Sequence, residues 1–183
     1  GYRQEPLEPG LSWVIPFFER VRIYPISYET YTMSIATEEG QVQGDDSISA
    51  RTADGQEILV DASVIFAVDP EQVITVHILW QDRYQNELVR AQARSIIRDA
   101  VSQFNVSEVV STKRFEMIDM VNQNMAEVLG ENGLLMIDFV IRNITFSPEY
   151  AAAVEQKQIA EQQSQQAELL VEKKKQEAEQ ARQ

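Results

Sequence analysis

Few side chains in this sequence have the types and spacing that chemistry requires. The single histidine, His77, lies on the apolar side of a predicted short helix and has no serine or carboxylate partner close to it in the sequence. A histidine in this setting is more often packed or surface-exposed than catalytic. The adjacent carboxylates Asp45 and Asp46 could contact a cation, but a cation site needs a larger ligand set, so a solvated loop is favoured.

Other common sources of reactivity are missing from the sequence. It has no cysteine, which excludes disulfides and thiolate metal sites, and it has neither a Gly-rich phosphate-binding loop nor a nucleophile elbow. We therefore predict no catalytic residue, no cofactor and no metal site, and a protein that is not an enzyme. The enzymatic alternative would need an unrecognised acidic site in the loop 38–46.

The charge of the chain argues against a nucleic-acid partner. Its formal net charge is −13, with 11 Lys and Arg against 22 Asp and Glu before residue 148, and 5 against 7 after it. Binding to a phosphate backbone needs a basic footprint. The one basic cluster, at 173–175, is expected to be solvated. No apolar run approaches the roughly 20 residues that span a bilayer.

The N-terminal stretch 9–19 is apolar but interrupted by prolines, which predicts a turn at its first two residues and then a short extended segment. It contains three aromatic residues, Trp13, Phe17 and Phe18, which is a high density for a surface segment. One interpretation is ordinary core packing of an edge strand. The other is a membrane contact, since aromatic rings favour the interface between lipid headgroups and acyl chains.

The next part of the chain has the period-two alternation of β-strands. Residues with high β-propensity run through 26–35, and an Asp54-Gly55 turn separates two further segments, 47–52 and 57–68, as in a β-hairpin. In the second arm the even-numbered residues are all apolar. This pattern predicts a half-buried strand of 12 residues.

Helical periodicity follows these strands. The Asp-Pro-Glu motif at 69–71 predicts the start of a helix that covers 73 to about 79, and a longer helix is predicted to begin near Asp82. The solvent side of the longer helix is expected to carry Arg90, Arg94 and Arg98.

A third helix and a last strand complete the folded part. Ser111 or Thr112 is predicted to cap the helix and Gly130 to end it. A strand at about 134–146 then leads into the C-terminal stretch. The order of strands, helices, one strand and one long helix predicts an α+β fold with antiparallel strands.

The C-terminal stretch predicts a helix that is too long for a compact domain of this size. Ser147 and Pro148 form a helix-start signal, and from Glu149 to Gln183 there is no further Gly or Pro. A continuous helix over 148–183 would be about 54 Å long. It carries too few large apolar side chains for a helix that is buried in a core.

Small residues recur along this helix at heptad spacing, which predicts contacts between neighbouring helices. The two rows are Ala153, Ala160, Ala167, Lys174 and Ala181, and Lys157, Ser164, Val171 and Ala178. We assign the oligomer interface to Ala153, Ala160, Ala167, Val171 and Ala178. Such a stripe contributes only a few kcal/mol per pair at about 0.8 kcal/mol for each buried CH₂, whereas association of two free chains costs about 4–15 kcal/mol. An array in which each helix has two neighbours is therefore favoured over an isolated pair, and a solvated single helix is the alternative.

Four stretches of the sequence read, in order, PGLSWVIPFFERVRIYPI, ARTADGQEILVDASVIFAVDP, ARSIIRDAVSQFNVSEVVSTKR and GLLMIDFVIRNITFSPEYAAAVEQKQIAEQQ. They resemble the stomatin/prohibitin/flotillin/HflK-HflC superfamily, known as SPFH or band 7, and the likeness is greatest to prohibitins. The resemblance covers nearly the whole chain, and its most specific part is the last strand with the start of the long helix. It implies a two-part SPFH domain, with a membrane-proximal part at 1–46 and a main part at 47–147, followed by a coiled-coil-like helix at 148–183.

The resemblance also implies what the protein does. It implies a membrane-anchored, non-enzymatic scaffold that forms large rings or cages, as a homo-oligomer or a hetero-oligomer with a paralogue. The expected partners are the lipid bilayer and an FtsH-type AAA protease, in membrane organisation and membrane-protein quality control. The expected location is a bacterial plasma membrane, with the mitochondrial inner membrane as the alternative. A hydrophobic anchor before Gly1 and a closing segment after Gln183 are expected in the whole protein.

A different class of function stays open at this point. A soluble holdase or adaptor could use the long helix to bind a single partner. That alternative predicts a monomer or dimer without a preference for lipid.

Overall fold

The structure, a computed structural model, describes residues 3, 5–7, 10–15, 17–36, 38–111 and 113–180, without the side chains of 172 and 174–180. The chain divides into two compact units, Gly1–Thr145 and Phe146–Gln183. The first unit holds the sheet and the shorter helices, and the second is the long C-terminal helix. A further division of the first unit at residue 46 stays a prediction.

The elements follow the order that the sequence predicts, apart from one additional short helix. The strands are β1 (Glu29–Met33), β2 (Ile48–Arg51), β3 (Glu57–Val68) and β4 (Leu134–Phe146). The helices are α1 (Val73–Leu79), α2 (Arg90–Val101), α3 (Val106–Val110), α4 (Arg114–Glu131) and α5 (Pro148–Gln180). A 3₁₀ turn, Gln81–Arg83, and a π-helical stretch, Tyr84–Val89, run into α2, so regular α-helix begins later than the predicted Asp82. The α+β class is confirmed.

Strand β3 is the centre of the sheet. β1 pairs with it antiparallel from Glu29 opposite Phe66 to Met33 opposite Ala62. β2 pairs antiparallel with the preceding stretch of β3, and β4 also pairs with β3. The predicted hairpin at Asp54-Gly55 therefore forms, and Gly55 takes the left-handed φ of 82° that such a turn requires.

The even-numbered side chains of β3 form the main core face. They are completely buried, together with apolar residues from β1, β2, α2 and α4. The members on β3 are Ile58, Val60, Ala62, Val64, Phe66 and Val68. The sequence alternation therefore located this face, because side chains two positions apart on a strand point to the same side.

The opposite face of β3 is more buried than the predicted half-buried strand. Asp61 is only 6% exposed, and its carboxylate accepts hydrogen bonds from the Ile35 amide at 3.0 Å and the Ser34 hydroxyl at 3.4 Å. Ser63 shares a 2.9 Å hydrogen bond with Thr32 of β1. These polar groups can be buried because each has a partner, which removes the desolvation cost of an unpaired group.

The predicted end of α4 is wrong. Gly130 lies inside the helix, which continues to Glu131, and the left-handed residue is Gly133, with φ of 81°. A Cβ on Gly133 would lie 2.9 Å from Val76 Cγ2 and 3.1 Å from the Gln72 carbonyl oxygen. Gly133 is therefore the glycine that both the backbone and the packing require.

The helix starts differ from the sequence signals in two places. Helix α1 has the predicted bounds, but Asp69 accepts a 2.9 Å hydrogen bond from the Glu71 amide in a preceding turn and does not cap the helix. α3 was not predicted, although Asn105 and Glu108 form a capping box at its start. The residue before α4 is Lys113, not Ser111, and the alternative cap Thr112 lies outside the described residues.

Candidate functional site

The N-terminal segment 10–28 forms an exposed apolar surface. The rings of Trp13, Phe17 and Phe18 are 92%, 104% and 89% exposed, so they are not packed into a core within the described residues. Neighbouring large apolar side chains are exposed as well, namely Leu11, Ile15, Val21, Ile23 and Ile26. So many exposed large apolar side chains within one short segment are unusual for a soluble monomer, and large apolar patches usually contact a membrane or another protein.

A turn presents two of the three rings. The Glu19 amide donates to the Ile15 carbonyl at 3.1 Å, and the Ile15 amide donates to the Glu19 carboxylate at 2.9 Å. Arg3 also donates to this carboxylate at 2.8 Å, and the two donors lower the pKa of Glu19. Phe17 lies inside the turn with φ of 72°, a left-handed conformation that is unusual for a bulky residue. Such an outlier at an exposed ring is typical of a functional surface.

Tyr24 attaches the segment to the folded unit. Its hydroxyl lies 2.6 Å from Nδ1 of His77, and the two rings meet edge to face with centroids 5.8 Å apart. Partial burial raises the pKa of Tyr24, the Arg22 guanidinium opposes this, and the Asp82 carboxylate adds to it. The sequence suggested no partner for His77, but the partner lies 53 positions away in the chain. The histidine therefore positions the apolar segment on α1.

The start of β1 is fixed by a second set of contacts. The Tyr84 hydroxyl donates to Glu29 at 2.7 Å, and the Gln85 amide donates to the same carboxylate at 2.8 Å. Burial raises the pKa of Tyr84, and the hydrogen bond to Glu29 raises it further. The apolar segment thus leaves the folded unit from a well-defined point.

The solvated loop that the sequence predicted for Asp45 and Asp46 is confirmed for Asp45, which is exposed, and is wrong for Asp46. Asp46 is 2% exposed, and its carboxylate accepts hydrogen bonds from Arg90 and, at 3.1 Å, from Arg94. Arg98 donates to the Ser49 carbonyl at 3.0 Å, so all three arginines of α2 contact the polypeptide around β2. The predicted solvent side of α2 was therefore wrong for Arg90 and Arg94, which are half-buried, whereas Arg98 is exposed as predicted. Because two guanidinium groups already occupy Asp46, its carboxylate has a structural role.

The long helix α5 begins as predicted. The Tyr150 amide donates to the Ser147 hydroxyl at 3.3 Å, which is the capping contact, and the Ala151 amide donates to the Ser147 carbonyl at 3.0 Å. The rings of Phe146 and Tyr150 pack with centroids 5.5 Å apart.

The side chains of α5 are open to solvent. Every side chain from Glu155 to Val171 is exposed, including the predicted interface residues Ala160 and Ala167. Ala153 is exposed as well, the side chain of Ala178 is not described, and Ala181 lies outside the described residues. A helix with this little burial gains almost no tertiary stabilisation by itself, whereas helices in proteins derive most of their stability from packing.

Two further features bear on the kind of site. None of the helices in the described ranges is long and apolar enough to cross a membrane. Within the same part of the chain, no group of three or more His, Cys, Asp or Glu side chains could hold a metal ion. Sequence reasoning missed the role of Tyr24, which holds the apolar segment, and the structural role of Asp46, whose arginine partners lie 44 and 48 positions away.

Comparisons with known proteins agree with this fold. The model of the SPFH domain / Band 7 family matches residues 1–183. Prohibitin-1 of Saccharomyces cerevisiae is 27% identical over 177 residues, which cover 97% of this chain and 57% of the relative. Prohibitin-2 of Mus musculus is 28% identical over 178 residues, which cover 97% of this chain and 55% of the relative.

A more distant relative gives the same result. Prohibitin-2 of Dictyostelium discoideum is 24% identical over 173 residues, which cover 94% of this chain and 54% of the relative. The chain thus spans somewhat more than half the length of these three relatives. Because the family match extends over the whole chain and the α+β fold agrees with it, this protein belongs to the SPFH domain / Band 7 family.

Proposed function

We propose that this chain is part of a membrane-anchored oligomeric scaffold. Membership of the SPFH domain / Band 7 family supports a membrane scaffold, and proteins of this family are scaffolds rather than enzymes. In this proposal the first unit lies at the lipid surface through Trp13, Phe17 and Phe18. The helices α5 of neighbouring copies pack side by side through the small-residue stripe, and the copies close into a ring or cage.

The observation that carries this proposal is the exposed aromatic surface of segment 10–28. Its three rings are outside the core, and one of them is held in a left-handed turn that a glycine would adopt more easily. Aromatic side chains at the boundary between headgroups and acyl chains bury their apolar faces there. A lipid surface therefore accounts for the exposure of the rings.

The helix α5 supports the oligomeric part of the proposal. Its exposed alanines at heptad spacing allow close approach of a second helix, and only a narrow apolar stripe is available for each contact. Because one such contact is weak, several copies tethered to the same membrane are needed to hold the array. In this account the assembled scaffold cooperates with an FtsH-type AAA protease in membrane-protein quality control, as the family resemblance implies.

The lipid contact can be tested by vesicle flotation. The Trp13→Ser/Phe17→Ser/Phe18→Ser variant of this chain is expected to bind liposomes about a hundredfold more weakly, because three partly inserted rings contribute about 1 kcal/mol each. The matched control is Val110→Ser/Phe115→Ser/Val140→Ser, which removes three exposed apolar side chains elsewhere on the first unit. The control should bind as the unchanged chain does.

Two results would contradict the lipid contact. One is unchanged flotation of the triple aromatic variant, and the other is an equal loss in the control variant. If the unchanged chain does not float with any of the vesicles and sediments as a monomer or dimer, the result would instead favour the soluble adaptor.

A further inference from the structure

Two arginines lie within the exposed apolar segment. Arg20 and Arg22 are exposed and alternate in the chain with Val21 and Ile23, which are 52% and 90% exposed. Arg20 follows Phe18 by two residues, so their α-carbons are at most about 7 Å apart. The headgroup region on each side of a bilayer is about 5–8 Å thick. Rings placed at the edge of the acyl chains would therefore keep the α-carbon of Arg20 within the headgroup region, and Arg22 follows two residues later.

Neither arginine has an acidic partner in the described part of the chain. The nearest carboxylate in sequence, Glu19, is already occupied by Arg3 and by the Ile15 amide. No ion pair or hydrogen bond within the described residues uses Arg20 or Arg22. By contrast, the exposed Arg83 and Arg142 pair with Glu87 and Glu39. Arg22 interacts electrostatically with Tyr24, but neither guanidinium group is held in an ion pair within the described residues, so both are available to bind a ligand.

The segment that contains Arg20 and Arg22 differs in net charge from the rest of the chain. Residues 1–28 contain three arginines and three glutamates, so their net charge is zero, and the full −13 belongs to the rest of the chain. An acidic protein is repelled by an anionic membrane surface unless local cations offset the repulsion. Arg20 and Arg22 supply positive charge at the place where the apolar side chains would insert.

We propose that Arg20 and Arg22 bind the phosphate groups of anionic phospholipids and give the lipid surface a preference for anionic bilayers. This inference rests on the proposed lipid contact and names the lipid class that it recognises. Arginine suits the role because its planar guanidinium donates two parallel hydrogen bonds to a phosphate. Its aliphatic stem can also lie along the apolar surface while the charge stays among the headgroups.

The test compares two kinds of vesicle and three forms of the chain. Flotation is measured with phosphatidylcholine vesicles and with phosphatidylcholine vesicles that contain phosphatidylglycerol. The forms are the unchanged chain, Arg20→Gln/Arg22→Gln, and the control Arg51→Gln/Arg142→Gln, which makes the same change of net charge at two exposed positions on β2 and β4. Circular dichroism confirms that the variants are folded, and the comparison is repeated at raised salt.

We expect the unchanged chain to prefer the anionic vesicles. Each arginine near an anionic surface raises partitioning by about fivefold, so Arg20→Gln/Arg22→Gln should lose about twenty-five-fold on anionic vesicles and nothing on neutral ones. Raised salt should shrink the difference, because exposed charges are screened. The control variant should keep the full preference for anionic vesicles.

The possible failures are distinguishable. Equal binding of the unchanged chain to both kinds of vesicle would overturn the anionic preference and leave the aromatic lipid contact standing. A preference that survives in Arg20→Gln/Arg22→Gln, or that the control variant loses as well, would overturn the assignment to these two arginines. No binding to either vesicle would overturn this inference together with the proposed function.

Discussion

The Ala160→Glu/Ala167→Glu double substitution is expected to break the membrane-extracted complex into small species. Both alanines lie on the small-residue stripe of α5, seven residues apart and exposed in the single chain. Close packing of helices through this stripe would place the new carboxylates against the neighbouring backbone. Two like charges about 4 Å apart repel by about 1–4 kcal/mol at the dielectric constants of a protein surface. That is as large as the few kcal/mol that each contact supplies.

The size of the extracted complex measures this effect. The matched control is Gln158→Glu/Gln165→Glu, which adds the same charge with the same spacing at exposed positions on the other side of α5. Glutamate is a good helix former, so neither variant should unfold the helix, and circular dichroism can verify this. Large particles in the stripe variant, or disruption in the control to the same extent, would contradict the assigned interface.

The Asp46→Ala substitution is expected to lower the free energy of unfolding by about 2–4 kcal/mol, because it removes one partner from a buried ionic cluster. The carboxylate is 2% exposed, whereas the side chains of Arg90 and Arg94 are 35% and 22% exposed. Solvation of the two partly exposed guanidinium groups therefore offsets part of the lost free energy of unfolding. The hydrogen bond to Asp46 raises the pKa of Arg90. Burial and the neighbouring arginines lower the pKa of Arg94, and Asp46 opposes this. Without Asp46 the two guanidinium groups would repel each other.

Urea unfolding of the Asp46→Ala variant tests this, with Asp45→Ala as the control. Asp45 is exposed, and within the described residues it accepts hydrogen bonds from Ser47, through the backbone amide at 2.9 Å and the hydroxyl at 2.6 Å. We expect the control to lose less than about 1 kcal/mol, as is usual for a surface change. Similar losses in the two variants would show that the arginine cluster does not stabilise the fold.

Elements with strong local signals could be predicted from the sequence. β3 and α1 have the predicted bounds, and Ser147 caps α5, because alternation, turn residues and capping residues act over a few positions. Sequence reasoning placed the end of α4 at Gly130, because this glycine follows the periodic apolar pattern directly. The left-handed φ of Gly133 and its packing against Val76 and Gln72 are properties of the folded chain, which local periodicity does not show.

The errors concern pairs that are far apart in the sequence. Arginines at every fourth position of α2 have the pattern of a solvated helix face, and nothing near them indicates that Asp46 is their partner. His77 likewise shows no partner in its own neighbourhood, because Tyr24 is reached only when the apolar segment folds onto α1. Such contacts depend on the fold, which local periodicity does not encode.

The aromatic segment and the small-residue stripe of α5 could be predicted only in part from the sequence. The aromatic density of 9–19 identified the segment, but the sequence fitted a core strand as well as a lipid contact, because burial depends on what the rest of the fold provides. In the structure the rings are exposed. The spacing of Ala153, Ala160 and Ala167 gave the stripe on α5, and the helix is formed as predicted. The contact of this stripe with other copies stays a prediction.

The distance between α5 helices of neighbouring copies tests the central claim most directly. This chain has no cysteine, so Gln166→Cys places a single thiol in it, at an exposed position outside the small-residue stripe. A spin label on that thiol in the membrane-bound complex reports the spacing between copies. Helices packed side by side lie about 8–10 Å apart, so we expect strong dipolar coupling between labels within about 20 Å. An intact complex whose labels show no such coupling would mean that the helices stand apart, and the account would be wrong.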